Sequence, residues 1–507
     1  MTSPPVTTDG WQRLDPRMLL IYPVKELIRF LPVLLGLLVA GTASGGLGDW
    51  WHGLGVAIPV GLGVLRYYTT AYRVSAERVE LRRGLLNRHV LSTPVDRIRT
   101  VDITAPPVHR LLGLTSVRVG TGTASTSEDE RLDLDGLPAD RARRLRTDLL
   151  LTGPGPVDEA HPETSPHTDR AVFVLDPRWV RFAPLTSAGL VIAAGVLGGL
   201  AQLVNVSGGF ERLDTKRVVD DVTAWSVWLA VPLGLSALAA AVGVLSIAGY
   251  LTTNWGFTLS HSAGAWHLRR GLLTTRETAL DDERVRGVTL AEPIGLRLAG
   301  GARASAIVTG LDQRRAGSSV LVPPAPRAEV ERIAGEVLGS RRAVDVPLTG
   351  HGPRARARRF TRAVGAAVAV LTVTLALVLL TGLPAWTLAI AALGLPVATA
   401  LAADRSRSLG HAFVDGNVVA RSGSLDRRRE MLEAGGVIGW TFHATWFQRR
   451  AGLTSLVATT AGGRQSITVL DVPEDDALDL ACAALPDLLD QFVSQRGRPS
   501  SADRVGL

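Results

Sequence analysis

The chain has 507 residues, of which 46% are hydrophobic, with a mean hydropathy of +0.20, a formal net charge of +8 and a pI near 10.4. Its apolar residues are gathered into blocks separated by arginine-rich segments, which excludes a string of ordinary soluble domains and describes a polytopic membrane protein. The single Cys482 excludes an intramolecular disulfide and any multi-thiolate metal site.

Arginine carries nearly all the positive charge, since only Lys25 and Lys216 are lysine; a GC-rich coding sequence accounts for that. Met1 to Leu14 is polar, so no cleavable signal is expected. Leu14-Asp15-Pro16-Arg17 reads as a helix start, with Asp15 as cap and Pro16 at the first helical position, and Leu175-Asp176-Pro177-Arg178 repeats it. Phe30 to Gly48 is uncharged and long enough to cross a hydrocarbon core about 30 Å thick. Trp51 to Leu65 is a weaker second span, with Tyr67 to Tyr72 at the interface. A second pair of spans is expected over Phe182 to Phe210 and Val222 to Tyr250. The third covers Ala363 to Ala403, broken at Gly382-Leu383-Pro384. Expected segments are therefore hairpins over 14–72, 175–250 and 363–403, polar modules over 73–151, 251–339 and 404–494, linkers over 152–174 and 340–362, and a disordered tail over 495–507.

The modules are copies of one another. Leu81-Arg82-Arg83-Gly84-Leu85-Leu86 returns unchanged as Leu268 to Leu273, and a second glycine follows the first at the same distance in three places: Gly84 and Gly113, Gly271 and Gly300, Gly423 and Gly452. Arg82, Arg269 and Arg421 stand two residues before the first glycine; Arg110, Arg297 and Arg449 stand three before the second. These twelve residues are the candidate binding or structural positions. Between them lie short β-rich runs such as Arg78-Val79-Glu80-Leu81 and Ser116-Val117-Arg118-Val119. One amphipathic helix closes each module: Ala139 to Leu151, Arg327 to Leu338, and Glu474 to Phe492. The pattern predicts a small sheet or partly open barrel capped by that helix, with the first glycines in turns.

A membrane hairpin followed by a short-stranded module with an Arg-x-Gly turn and a terminal helix resembles the bacterial pleckstrin-homology-like family, and more closely its three-copy membrane-flanked members. The third copy departs most, having Gly435-Gly436 where the others have Asp96-Arg97 and Glu283-Arg284. The resemblance implies a seven-stranded sandwich with a C-terminal helix in each copy, no enzymatic activity, and a place in envelope maintenance, secretion or stress resistance. The fold class expected is thus a polytopic α-helical membrane protein, six spans in three hairpins, carrying three α+β pleckstrin-homology-like modules.

Chemistry is sparse. No histidines form a two-His metal motif, no glycine-rich phosphate loop is present, and no catalytic residue, cofactor or metal is expected. His161, His167 and His443 are read as non-ligands, and Cys482 as a buried structural thiol. Spans without ionisable residues read as anchors. Arginine beside the spans places both termini and all three modules in the cytoplasm. The expected role is a non-catalytic membrane scaffold or regulator. Its partners would be membrane lipids, a protein at the cytoplasmic face and, for the repeated arginines, anionic lipid head groups; nucleic acid is not expected. Transport or lipid handling by the spans is the alternative.

Overall fold

The computed structural model describes residues 10–43, 49–75, 77–84, 89–95, 98, 100–120, 132–151, 170–186, five positions between 191 and 202, 227–262, 264–309 and 319–486. It divides into two compact units, Met1–Asp282 and Glu283–Leu507.

The first unit opens with strand β1 (Gln12–Arg13) and two antiparallel helices, α1 (Met18–Ala43) and α2 (Asp49–Thr69). Asp15 Oδ1 accepts the Arg17 N–H at 2.9 Å, and the Asp15 carbonyl takes that of Met18, so the first helical donors are satisfied as the sequence suggests. Helix α1 nevertheless starts well before Phe30. Met18, Ile21 and Tyr22 are buried among the strands, because this amphipathic first stretch is core before the chain turns wholly apolar. Tyr67 and Tyr72 are likewise core residues rather than interfacial ones; Tyr72 already lies in a strand.

Strands β2 (Ala71–Val74), β3 (Arg78–Arg83) and β4 (His89–Pro94) join β1 in one sheet, ordered β1-β2-β3-β4. Then come β5 (Thr100–Ala105), a one-turn helix α3 (Pro107–Leu111), β6 (Leu114–Gly120), β7 (Leu132–Pro138) and the closing helix α4 (Ala139–Leu151). Val79 and Leu81 of β3 meet Val101, Val117 and Leu134 of the following strands, with Ala142 and Leu145 of α4 across the top. Each such fully buried aliphatic side chain contributes about 1.5–3 kcal/mol, and the alternation along the strands selects which residues do so.

The unit continues with β8 (Arg170–Val174), a 3-10 helix (Pro177–Leu185), α5 (Val227–Asn254), β9 (Thr258–Ser262), β10 (Ala265–Arg270) and β11 (Thr275–Asp281). The expected span from Phe182 does not begin there. Pro177 and Pro184 each lack an N–H donor, the segment winds as a 3-10 helix, and Phe182 and Ala183 are buried, with the Ala183 carbonyl accepting from Ser246 Oγ of α5 at 2.7 Å. Most of 187–226, including the rest of that span, lies outside the described residues.

The second unit runs β12 (Val285–Pro293), α6 (Ile294–Leu298), β13 (Gly301–Val308), β14 (Val320–Pro326), α7 (Arg327–Leu338) and a short α8 (Arg341–Asp345). Two long helices follow, α9 (Gly352–Thr381) and α10 (Trp386–Ser408). The unit ends with β15 (Gly410–Val414), β16 (Asn417–Ser422), β17 (Asp426–Glu433), β18 (Gly439–His443), α11 (Trp446–Arg450), β19 (Leu453–Thr459), β20 (Ser466–Pro473) and α12 (Glu474–Ala484). Gly382, at φ +70°, ends α9 as expected. The expected continuation of α12 to Phe492 lies largely outside the described residues.

Among the described residues three helices are long and apolar enough to cross a membrane: Pro232–Asn254 within α5, Gly352–Thr381 and Trp386–Ser408. Leu379, Leu380 and Ile390 point outward from the latter two, as lipid-facing residues do. The chain is a membrane protein.

Sheet boundaries do not follow the repeats. The first unit holds a seven-stranded sheet, β7-β6-β5-β11-β10-β9-β8; the second holds a six-stranded one, β14-β13-β12-β17-β16-β15, and a separate three-stranded one, β18-β19-β20. The small sheet or partly open barrel expected for each copy takes the form of sheets that merge half of one repeat with half of the next. An unpaired edge strand presents bare backbone donors and acceptors, and here β5 covers β11 and β12 covers β17. Ala105, eight before Gly113, faces Thr275, four after Gly271; Pro293, seven before Gly300, faces Asp426, three after Gly423. The two joints share one register.

Candidate functional site

All six repeated glycines have left-handed backbone: φ is +97°, +112° and +100° at Gly84, Gly271 and Gly423, and +70°, +71° and +63° at Gly113, Gly300 and Gly452. At Gly271 and Gly423 a Cβ would also run into a backbone carbonyl, that of Thr274 or Asp426. Spacing survived in the sequence because these six positions tolerate almost nothing else.

The arginines attached to them are mostly engaged within the fold. The Arg82 guanidinium lies 5.0 Å from the Trp11 ring centroid. Arg269 lies 3.6 Å from Glu277, its cross-strand partner. Arg421 donates to the carbonyls of Ser408 and Arg407 at 3.0 and 3.2 Å, satisfying the C-terminal end of α10. Arg110 donates to the Leu272 carbonyl at 2.9 Å and Arg297 to the Ser424 carbonyl at 3.3 Å. Leu272 and Ser424 each immediately follow a first glycine, so these two arginines fasten one repeat to the turn of the next. Arg297 also reaches Asp404, at 3.1 Å. Arg449, the third of this set, is exposed, and its guanidinium bonds no described residue.

Where strands meet long helices, two carboxylates collect charge, Asp471 buried and Asp135 half-buried. Asp135 on β7 takes Lys25 Nζ of α1 at 2.7 Å and His109 Nε2 of α3 at 3.0 Å. Burial alone would raise its pKa, but the bond from His109 and the charge of Lys25 hold the carboxyl far below the usual range. Asp471 on β20, at φ +53°, takes Arg358 at 3.0 Å and Arg359 at 2.8 Å from the start of α9, and Gln448 of α11 at 2.7 Å. His109 and Gln448 each stand four residues before their second glycine, and both are buried. In each unit, then, one carboxylate ties a long helix to a strand and to a one-turn helix.

Beside Asp471 two histidines meet. His351 precedes α9 and His411 lies on β15, brought together by paired backbone bonds between Thr349 and His411. His351 Nδ1 lies 2.8 Å from the Leu470 carbonyl, so that nitrogen carries the proton and donates. Its Nε2 then accepts from His411 Nδ1 at 3.1 Å. Only neutral His351 satisfies both bonds. Burial, together with neighbouring His411, lowers its pKa to about 4; burial lowers that of His411 as well. A cavity of about 270 Å³ opens alongside, lined by His351 and Arg356 at the start of α9 and by Ala403 and Arg407 near the end of α10. Sequence reasoning missed both the histidine pair and the carboxylates, since their partners are 23 to 119 residues apart and no local spacing marks them. Among the described residues no cluster of three metal-ligating side chains exists. Cys482 is half-buried against the core of the second unit.

Two antiparallel half-sheets, a closing helix and an attached helical hairpin define a membrane-anchored β-sandwich module. Residues 26–151 and 366–484 match the family model described as Bacterial PH domain, so the chain carries two copies of that domain. The copy expected to depart most is thus one of those matched. No curated protein and no solved structure matches the chain.

Proposed function

We propose that the chain is a non-catalytic scaffold that holds three pleckstrin-homology-like modules at the cytoplasmic face of a membrane. The third module is the middle one. Its elements β9, β10, β11, β12, α6, β13, β14 and α7 follow the order of β2, β3, β4, β5, α3, β6, β7 and α4, and its glycines share their conformation. Six spans in three hairpins anchor them, and the arginines at the start of α9 (Arg354, Arg356, Arg358, Arg359) favour the cytoplasmic side.

The observation that carries this reading is the carboxylate at the strand–helix junction, Asp135 with Lys25 and Asp471 with Arg358 and Arg359. A rigid attachment fixes how a module faces its partners, and modules held side by side raise one another's effective concentration toward a multivalent partner. Arg356 and Arg407, at the membrane border, suit anionic head groups, each worth about 1 kcal/mol near the leaflet. Protein partners would meet the strand edges of the modules.

The cavity beside His351 favours a second reading, lipid handling at the border of α9 and α10, because its two arginines could hold an acidic head group. One comparison separates the two. Cross-linking from native membranes is run with the full chain and with Asp471→Ala, while vesicles containing each protein are assayed for lipid movement. Proteins captured by the parent and lost from the variant, with no accelerated lipid movement, support the scaffold. Faster lipid movement that depends on Arg356 and Arg407 overturns it.

A further inference from the structure

We propose that the open edge of β18 pairs with the open edge of β4 of a second copy of this chain, joining chains head to tail by the same strand contact that joins successive repeats within each chain. The inference does not depend on the scaffold reading.

Two joints of this kind are already built. In each, the strand leading into a one-turn helix, β5 or β12, lies antiparallel to the strand that follows the first glycine of the next repeat, β11 or β17. The third strand of the first kind is β18, which leads into α11. Among the described residues it is the outer strand of its sheet, with β19 on one side only. The remaining strand of the second kind is β4, which follows Gly84 and among the described residues is the outer strand of its sheet, next to β3. The repeat that holds β18 thus presents the half-joint that complements the one presented by the repeat that holds β4.

Register makes the match specific. Applying the offset shared by both existing joints sets His443, nine before Gly452, opposite His89, five after Gly84, and Gly439 opposite Thr93. All five residues of β18 then fall on residues of β4, with no overhang. Phe442 faces Val90, and these side chains are 38% and 53% exposed, so two apolar groups now in water would cover one another. None of the five pairs opposes two arginines or two carboxylates. The fastening arginine is available too: Arg110 and Arg297 each cross their joint to a turn carbonyl, whereas the Arg449 guanidinium bonds no described residue. Neither edge carries the lysine that commonly blunts an open strand. The contact is heterologous, so repetition gives a ring or a row in the membrane plane.

The test uses the full chain in native membranes with Cys482→Ala as background. Two differently tagged versions are co-expressed, one with His89→Cys and the other with His443→Cys, and treated with a short bis-thiol reagent. The expected result is a product carrying both tags, several-fold stronger than any product from either version alone and weaker when Gly439→Cys replaces His443→Cys. Phe442→Lys should lower the yield several-fold, and Val90→Glu on the opposing chain should restore it. The absence of a two-tag product, equal yield regardless of register, or β18 captured only by a different protein or by β4 of its own chain overturns the proposal.

Discussion

At Asp471 a carboxylate with almost no solvent exposure faces two guanidiniums and an amide. Removing it would leave both cations without their counter-charge, a loss of about 3–5 kcal/mol by the behaviour of broken buried pairs. Asp471→Ala should therefore lower the thermal midpoint of the detergent-solubilised chain and raise hydrogen exchange in β20, while Arg341→Ala, on an exposed pair, should change neither. The histidine pair adds a pH dependence. His351 titrates near 4 when folded and near 6.5 when free, so the unfolded chain binds the extra proton between those values. Its contribution is complete above about pH 6.5 and is lost as the pH falls toward 4. Asp135, also depressed, acts in the same direction at lower pH, with stability present above the ordinary carboxylate range and lost as the pH falls through its folded value. Replacing both His351 and His411 by Gln should flatten the thermal midpoint between pH 6.5 and 4.5. An unchanged slope would exclude the pair as its source.

Elements depend on a few backbone positions. The β16–β17 turn requires Gly423 at φ +100° with the Asp426 carbonyl packed where a side chain would begin. Gly423→Ala should cost about 1–3 kcal/mol and should be read as faster hydrogen exchange in β16 and β17. Arg297, bonded to Ser424 and Asp404, ties α6 to this turn and to the end of α10; Arg297→Ala should cost about 1–2 kcal/mol. The prediction distinguishes fastening from lipid binding: if Arg297 served head groups instead, its loss would weaken vesicle binding and leave that exchange unchanged.

Across the whole molecule, three described helices have the length and apolarity to span a membrane, and one of them, α9, is tied to a strand at its start before it turns wholly apolar. A reporter fused after Leu507 is expected to be active only in the cytoplasm, as arginine beside the spans requires; activity confined to the outer side would reverse the topology. The border between the two compact units falls at Asp282 and Glu283, inside the segment expected as the middle module, because β11 is bonded to β5 in one unit and β12 to β17 in the other. Sheet pairing, rather than repeat boundaries, decides which residues form a compact body.

What was legible in the sequence is what a local rule controls. Left-handed backbone demands glycine, so the spacing of Gly84, Gly113 and their counterparts revealed the repeats. Alternation marked the strands, prolines preceded the closing helices, and uncharged runs marked candidate spans. The family followed from the same pattern. Contacts between distant residues left no local trace. Nothing near Asp135 announces Lys25, nothing near His351 announces His411, and the same Arg-x-Gly motif places Arg82 over an aromatic ring but Arg421 at the end of a helix. The merging of half-sheets was equally hidden, since a strand's own residues specify which face is buried, whereas the neighbour that takes its edge is chosen by the tertiary arrangement that satisfies the backbone hydrogen bonds.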